Sequence, residues 1–179
     1  MPRQDLYVED FKSQLVGGGA RPNYFKATLT GLDSFGGGDL TKASFLCKAA
    51  SLPASTIGPI AVPFRGRVIQ VAGDRTFAEW TISVINDTDF HVRDAFERWM
   101  NEPLNTHVEN IGDQRPASYK SQMKLEQLDK EGTVLKTYEF IGVWPASVGE
   151  ITVSYEETDT IEQFDVTLQY DYWTSNTTD

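Results

Sequence analysis

The sequence is short of the groups that do covalent and metal chemistry. In 179 residues it carries one cysteine, Cys47, and two histidines, His91 and His107. A single cysteine excludes an internal disulfide and fits a reducing compartment. The two histidines lie far apart and have no cysteine or glutamate partner at ligand spacing, which argues against a zinc site. No apolar run approaches the ~20 residues that span a bilayer as a helix. The opening residues Met1-Pro2-Arg3-Gln4-Asp5-Leu6 lack the apolar stretch of a secretory signal. Gly17-Gly18-Gly19 and Gly36-Gly37-Gly38 are not followed by the Lys-Ser/Thr pair of a phosphate-binding loop and read as hinges. The Gly-x-Ser-x-Gly elbow of a hydrolase does not occur. Basic charge is scarce as well: 16 lysines and arginines stand against 26 acidic residues, for a formal charge of −10. Gripping phosphates needs Lys and Arg, so this composition argues against wrapping nucleic acid; it suits solubility, or a surface that repels a polyanion.

What the chain does have is strand-and-turn patterning. At 40% hydrophobic content it is long enough for one domain with a substantial core. Residues 1–23 read as an N-terminal arm with a short helical hint at residues 6–15, and residues 24–29 as a strand. A second strand is expected at residues 44–50. Residues 51–67 contain Pro53, Pro59 and Pro63 with Ile57, Ile60, Val62 and Phe64 interleaved, a pattern that forbids a central strand and favours an extended arm or an edge. Residues 68–71 pair again before a tight turn expected at Gly73-Asp74. Trp80, Ile82 and Val84 alternate with Thr81 and Ser83 in the period of a half-buried strand.

Asp87-Thr88-Asp89 offers capping oxygens for a helix over about residues 88–101. Val92, Ala95, Phe96, Trp99 and Met100 form its apolar stripe, with Arg93, Asp94, Glu97 and Arg98 outward. Residues 102–118 read as a long polar loop. Strands follow at residues 119–128 and 133–141, joined by Asp129-Lys130-Glu131-Gly132; Met123 and Leu125 face one way, Gln122, Lys124 and Glu126 the other. A short strand is expected at residues 151–155. A last strand at residues 164–173 has Phe164, Val166, Leu168, Tyr170 and Tyr172 on one face, before a polar, mobile tail at residues 174–179. The simplest architecture is one mainly antiparallel β domain, residues 24–173, with one packed helix.

Candidate chemistry is thin. Cys47 sits in an apolar strand pattern and reads as a small buried side chain without a thiolate-stabilising neighbour. Glu156, Glu157 and Glu162 imitate a glycosidase dyad, but clustered carboxylates in an acidic protein are usually solvated. Arg75, beside Asp74, reaches either for a carboxylate of its own chain or for one of a neighbour. Trp80, Phe96, Trp99, Trp144 and Trp173 read as core or interface anchors. No cofactor is expected.

The ordered pieces Ala20-Arg21-Pro22-Asn23-Tyr24-Phe25, Cys47-Lys48-Ala49, Leu52-Pro53, Ala72-Gly73-Asp74-Arg75-Thr76-Phe77, Trp80, Asn86-Asp87, Trp144-Pro145, Val148-Gly149-Glu150 and Asp171-Tyr172-Trp173 closely resemble the tail tube proteins of contractile-tailed bacteriophages, a family related to the tubes of type VI secretion systems and pyocin-like particles. The resemblance covers nearly the whole chain; the glycine-rich arm and residues 102–117 depart most from the pattern. It implies a non-enzymatic, β-sandwich-like or barrel-like subunit flanked by a helix, each copy giving four strands to an inner barrel shared within a hexameric ring. Stacked rings would form a channel for DNA ejection, built in the host cytoplasm and carried in the virion tail. The implied partners are further copies, a sheath, baseplate and terminator proteins, a tape measure in the lumen and passing DNA, with no membrane. A contractile injection system delivering protein is the alternative. For ring stacking and assembly the sequence nominates Ile57, Ile60, Val62, Phe64 and Arg67, together with Asp74 and Arg75.

Overall fold

Seven strands, with period-two burial clearest in the segments 80–85 and 163–169, build two sheets that share one member. The computed structural model describes residues 8–15, 19–36, 40–104, 106, 112–113, 115–156 and 158–178. In chain order the elements are helix α1 (Val8–Gln14), strand β1 (Phe25–Thr28), a 3-10 turn (Thr30–Phe35), α2 (Leu40–Leu46), β2 (Cys47–Ala50), β3 (Ser55–Phe64), β4 (Arg67–Phe77), β5 (Trp80–Ile85), α3 (His91–Trp99), a π turn (Met100–Leu104), α4 (Pro116–Tyr119), β6 (Ser121–Leu128), β7 (Val134–Val148), β8 (Gln163–Gln169) and β9 (Tyr172–Ser175).

All pairings are antiparallel. The first half of β7 lies between β6 and β9, and β1 pairs β6 on its outer side; the second half of β7 pairs β8, which continues to β5 and β2. One strand therefore serves two four-stranded sheets. It changes sheet near Gly142, whose φ is 71°. A β-carbon there would stand 2.2 Å from Asp171 Oδ2, so a larger residue would push apart the corner. The Asp171 carboxylate is pinned by Lys120, at 2.6 and 2.8 Å, and its N–H donates to the Ile141 carbonyl.

The two inner faces meet in one core. Trp80 of β5 stacks on Phe140 of β7 with ring centroids 4.1 Å apart, one ring from each sheet. Ile82, Val84, Phe164, Val166 and Leu168 join from the second sheet, and Met123 and Leu125 from the first. Helix α3 closes the sandwich with Val92, Ala95, Phe96 and Trp99, all buried; Met100, the last residue of the expected stripe, is half-buried and opens the π turn beyond the helix. Trp99 stacks on Phe35 of the 3-10 turn and donates its indole N–H to the Tyr119 carbonyl.

Several local expectations change. The segment 44–50 divides into the end of α2 and the short β2, because the apolar run Phe45-Leu46-Cys47 lacks strict alternation and suits either element. Helix α3 begins at His91, after Phe90 in a left-handed conformation (φ 53°) and with no side-chain cap; Asp87 and Asp89 instead face Lys42. Residues 151–155 form no strand. The run 164–173 breaks after Gln169: the chain crosses from the second sheet to the first, so Tyr172 becomes exposed while Tyr170 stays buried. Strand β9 runs to Ser175, which is buried, and the Thr178 N–H donates to the Ser175 carbonyl. The hinge glycines 17, 18, 37 and 38 lie outside the described residues, as do Asn105, His107, Asn110 and Glu157.

Phe140→Ala should lower stability by about 3–5 kcal/mol, since it removes a fully buried ring from the sheet-to-sheet contact. Val153→Ala, at an exposed position, should stay within about 0.5 kcal/mol. Urea unfolding of the subunit measures both.

Candidate assembly surfaces

The most exposed apolar element is a ribbon. Strands β3 and β4 pair only with each other and form a separate two-stranded sheet. They grow out of the β2–β5 pair, whose register runs Cys47↔Val84 to Ala50↔Ile82; the ribbon then runs from Ser55↔Phe77 to its tip at Phe64↔Arg67. The base is held by Phe77, packed edge-on against Trp173 and tilted against Tyr170, and by the Trp80 indole, which donates to the Ser51 carbonyl at 2.9 Å. Beyond the base no described residue covers it: Ile57, Ile60, Val62 and Phe64 are 43–59% exposed, as are Val68, Ile69 and Val71 on the returning strand.

This is where the expected extended arm lies, and it is paired. Both strands of a two-stranded ribbon have an outer side without a ladder, which is where Pro59 and Pro63 are tolerated. The turn falls at Arg65-Gly66, with φ values of 47° and 81°, a mirror-image two-residue hairpin turn. Gly73-Asp74 is therefore not a turn; both residues lie inside β4. Gly73 faces the register shift between Ile57 and Pro59, and a β-carbon there would stand 2.7 Å from the Gly58 carbonyl oxygen. Its small size permits close approach at a bulge. Arg67 opens β4 opposite Phe64, and Arg75 lies opposite Ile57. A turn signal was present at Gly66, but Arg-Gly lacks the Asn-Gly or Asp-Gly signature that marks such turns.

The second kind of open surface is the sheet edge. The first sheet ends in β1 and β9, the second in β2 and the last residues of β7. An unpaired edge presents free N–H and C=O groups to any strand that approaches. The outward face of the second sheet is rich in hydroxyl and amide groups. Thr81, Ser83, Asp165, Thr167 and Gln169 lie there, with Ser83 donating to the Asp165 carboxylate and Gln169 to Glu79.

The remaining nominated residues divide between core and flank. Trp80, Phe96 and Trp99 are fully buried; Trp144 and Trp173 are half-buried and pack edge-on against Tyr119 and Tyr138 respectively. Cys47 is buried, and burial pushes its thiol up to about 11. His91 is exposed at the start of α3. Glu162 accepts a hydrogen bond from Asn86, and Glu156 is exposed. Among the described residues no three His, Cys, Asp or Glu side chains gather as a metal site would require.

An antiparallel sandwich with four edges open among the described residues, and an exposed apolar ribbon, has the anatomy of an architectural subunit. A family model described as phage tail tube protein matches residues 20–176. The chain is 37% identical over 170 residues to tail tube protein gp19 of Enterobacteria phage T4, covering 94% of this chain and 99% of that protein. It is 27% identical over 166 residues to the tail tube protein of Serratia phage KSP90, covering 91% and 93%. In fold it resembles a chain of the sheath–tube complex of the PVC extracellular contractile injection system, with a TM-score of 0.62 at 15% identity over 92% of this chain and 96% of that one. The chain belongs to the phage tail tube protein family and is a structural subunit of the tail tube of contractile-tailed phages.

Two outcomes follow from the side chains. The Lys42 ammonium holds the Asp87 carboxyl below its ordinary value. Its stabilisation is thus present above about pH 4 and is lost as pH falls through the lowered value. Asp87→Asn should flatten the acid limb of a plot of urea midpoint against pH. The Cys47 thiol should react with a disulfide reagent at pH 8 far more slowly in the folded subunit than in denaturant.

Proposed function

We propose that six copies close into a ring by pairing open sheet edges, and that rings stack into a tube whose bore passes DNA during ejection. The second sheet is the one that joins the inner barrel. Among the described residues its edges, β2 and the end of β7, are unpaired, and its outward face is mainly polar, with Lys48 of β2 engaged by Gln163. Edge pairing between copies removes the hazard of open strands, as closure does in any barrel. Twenty-four strands spaced ~4.8 Å apart and tilted ~40° give a circumference of ~150 Å and a backbone diameter of ~48 Å. Inward side chains leave an opening on the order of 40 Å, which admits a DNA duplex with clearance close to a Debye length, ~8–10 Å. A polar, net-acidic wall repels phosphates and prevents adhesive stops. The net charge of −10 supports such a wall.

The observation that carries the stacking is the uncovered ribbon. An isolated two-stranded hairpin is marginal in water, and an apolar surface of this extent marks a contact site. Its partner is the next ring. The tube sits within a contractile sheath and ends at a baseplate and a terminator, a reading supported by the fold likeness to chains from sheath–tube and tube-terminator assemblies. A tape measure occupies the lumen before DNA enters, and assembly takes place in the host cytoplasm. DNA delivery is preferred over protein delivery because the likeness to phage tube proteins reaches 37% identity, against 15% for the injection-system chain. The family role is structural, and no catalytic activity is assigned to the chain.

Deleting residues 57–62 should leave folded subunits or single rings and abolish long tubes in negative-stain micrographs. Full-length tubes from that variant would remove the ribbon from stacking.

A further inference from the structure

We propose that the ribbon tip docks on the apolar, acidic segment 150–162 of a copy in the next ring. This rests on the stacking reading above and names the surface that receives the ribbon. Three observations lead to it.

The first is position. In β5, Trp80 lies at the ribbon end and Ile85 at the other; Ile85 pairs Gln163, and the Asn86 N–H donates to the Glu162 carbonyl. The segment that joins β7 to β8 therefore sits at the pole of the second sheet opposite to the ribbon. Two different surfaces at opposite ends of one subunit make a head-to-tail contact, which propagates as a filament.

The second is exposure. The described residues of the segment form no strand or helix, and Val153, Tyr155 and Ile161 are 78%, 106% and 74% exposed. These are among the most exposed large apolar side chains of the described chain. Like the ribbon, they have no cover within the subunit.

The third is charge. Residues 150–162 contain five carboxylates and no lysine or arginine, whereas residues 55–77 contain Arg65, Arg67 and Arg75 against Asp74 alone. In a chain of net charge −10 the ribbon is a local basic element. At its tip the Arg65 guanidinium lies 5.3 Å from the centre of the Phe64 ring, so a cation and an apolar face are presented together. The segment offers the complement: Tyr155 and Val153 beside Glu156 and Asp159. A ten-residue strand extends ~33 Å against ~20 Å for the six residues of β5, so the ribbon is long enough to reach a neighbouring copy. Opposite charges steer such an encounter and fix its register, while the apolar side chains supply the burial.

The test is a charge exchange in the full-length protein under conditions where the parent forms tubes. Arg65→Glu with Arg67→Glu should shorten or abolish tubes in negative-stain micrographs, as should Glu156→Arg with Asp159→Arg. Combining all four substitutions should restore tubes to at least half the parent length. Parent-length tubes from either pair, or a combination no longer than the pairs alone, would overturn the docking. All four side chains are exposed, and circular dichroism checks that the variants remain folded. A cross-link separates this inference from the stacking reading. Phe64→Cys mixed with Tyr155→Cys should form a mixed disulfide in far higher yield than Phe64→Cys mixed with Thr81→Cys, the buried Cys47 contributing little. Equal yields would also overturn the docking. A selective cross-link from a protein that never forms tubes would leave the docking standing and remove ring stacking.

Discussion

A single strand belonging to two sheets is the constraint on which the rest of the molecule depends. If β7 ran straight, the chain would make one wide sheet with no interior. By turning at Gly142 it sets β6 and β9 on one side of the core and β8 and β5 on the other. The corner is held by close approach: Asp171 fills the space where a side chain at Gly142 would stand, and Lys120 holds Asp171. The Trp80–Phe140 stack then lies where the two sheets face each other. Fully buried aromatic pairs of this kind dominate the energetics of small cores. Helix α3 closes the flank the two sheets leave open.

That arrangement satisfies the interior and leaves the periphery unsatisfied. Among the described residues no strand covers β1, β2, β9 or the end of β7, and the ribbon forms a sheet of its own. Natural monomers blunt such edges with charge, proline, bulges or covering loops. This chain uses two of those devices on the ribbon, prolines in β3 and a bulge at Gly58–Gly73. The combination admits specific pairing while opposing indiscriminate strand addition. Unpaired margins that would be a liability in a solitary enzyme are the working parts of a subunit built to join copies of itself.

How much of this was legible in the sequence follows from how each signal arises. Strict alternation identified β5 and β6 and the faces they bury, because period two has a single physical meaning over six to eight residues. The stripe of α3 was readable for the same reason at period 3.6. The ribbon was half legible: proline and apolar residues together marked an extended element without an interior place, but the pairing of β3 with β4 depends on a turn at Arg65-Gly66 with weak local signature. Gly73-Asp74 carried a stronger turn pattern and lies in a strand, because a glycine that permits close backbone approach at a bulge looks the same in sequence as one that permits a turn. The corner at Gly142 and the break after Gln169 were invisible, since both are set by contacts between residues far apart in the chain. The likeness of residue order to a known family supplied the function, which no single constellation of side chains carried.

The balance of charge and apolar exposure bears on when assembly occurs. A subunit with a bare ribbon and open edges would aggregate if hydrophobic burial acted alone. The formal charge of −10 opposes random approach of copies, because like-charged bodies repel over roughly a Debye length, ~8–10 Å at physiological salt. The ribbon is locally basic, so this repulsion does not hold it away from an acidic neighbour. Approach is therefore favoured in the orientation that brings arginines to carboxylates and disfavoured in others. Each contact is modest on its own; the proposed ring would engage many at once, with the second and later contacts forming at high effective concentration. In the proposed assembly, stability then resides in the closed and stacked copies rather than in any single contact.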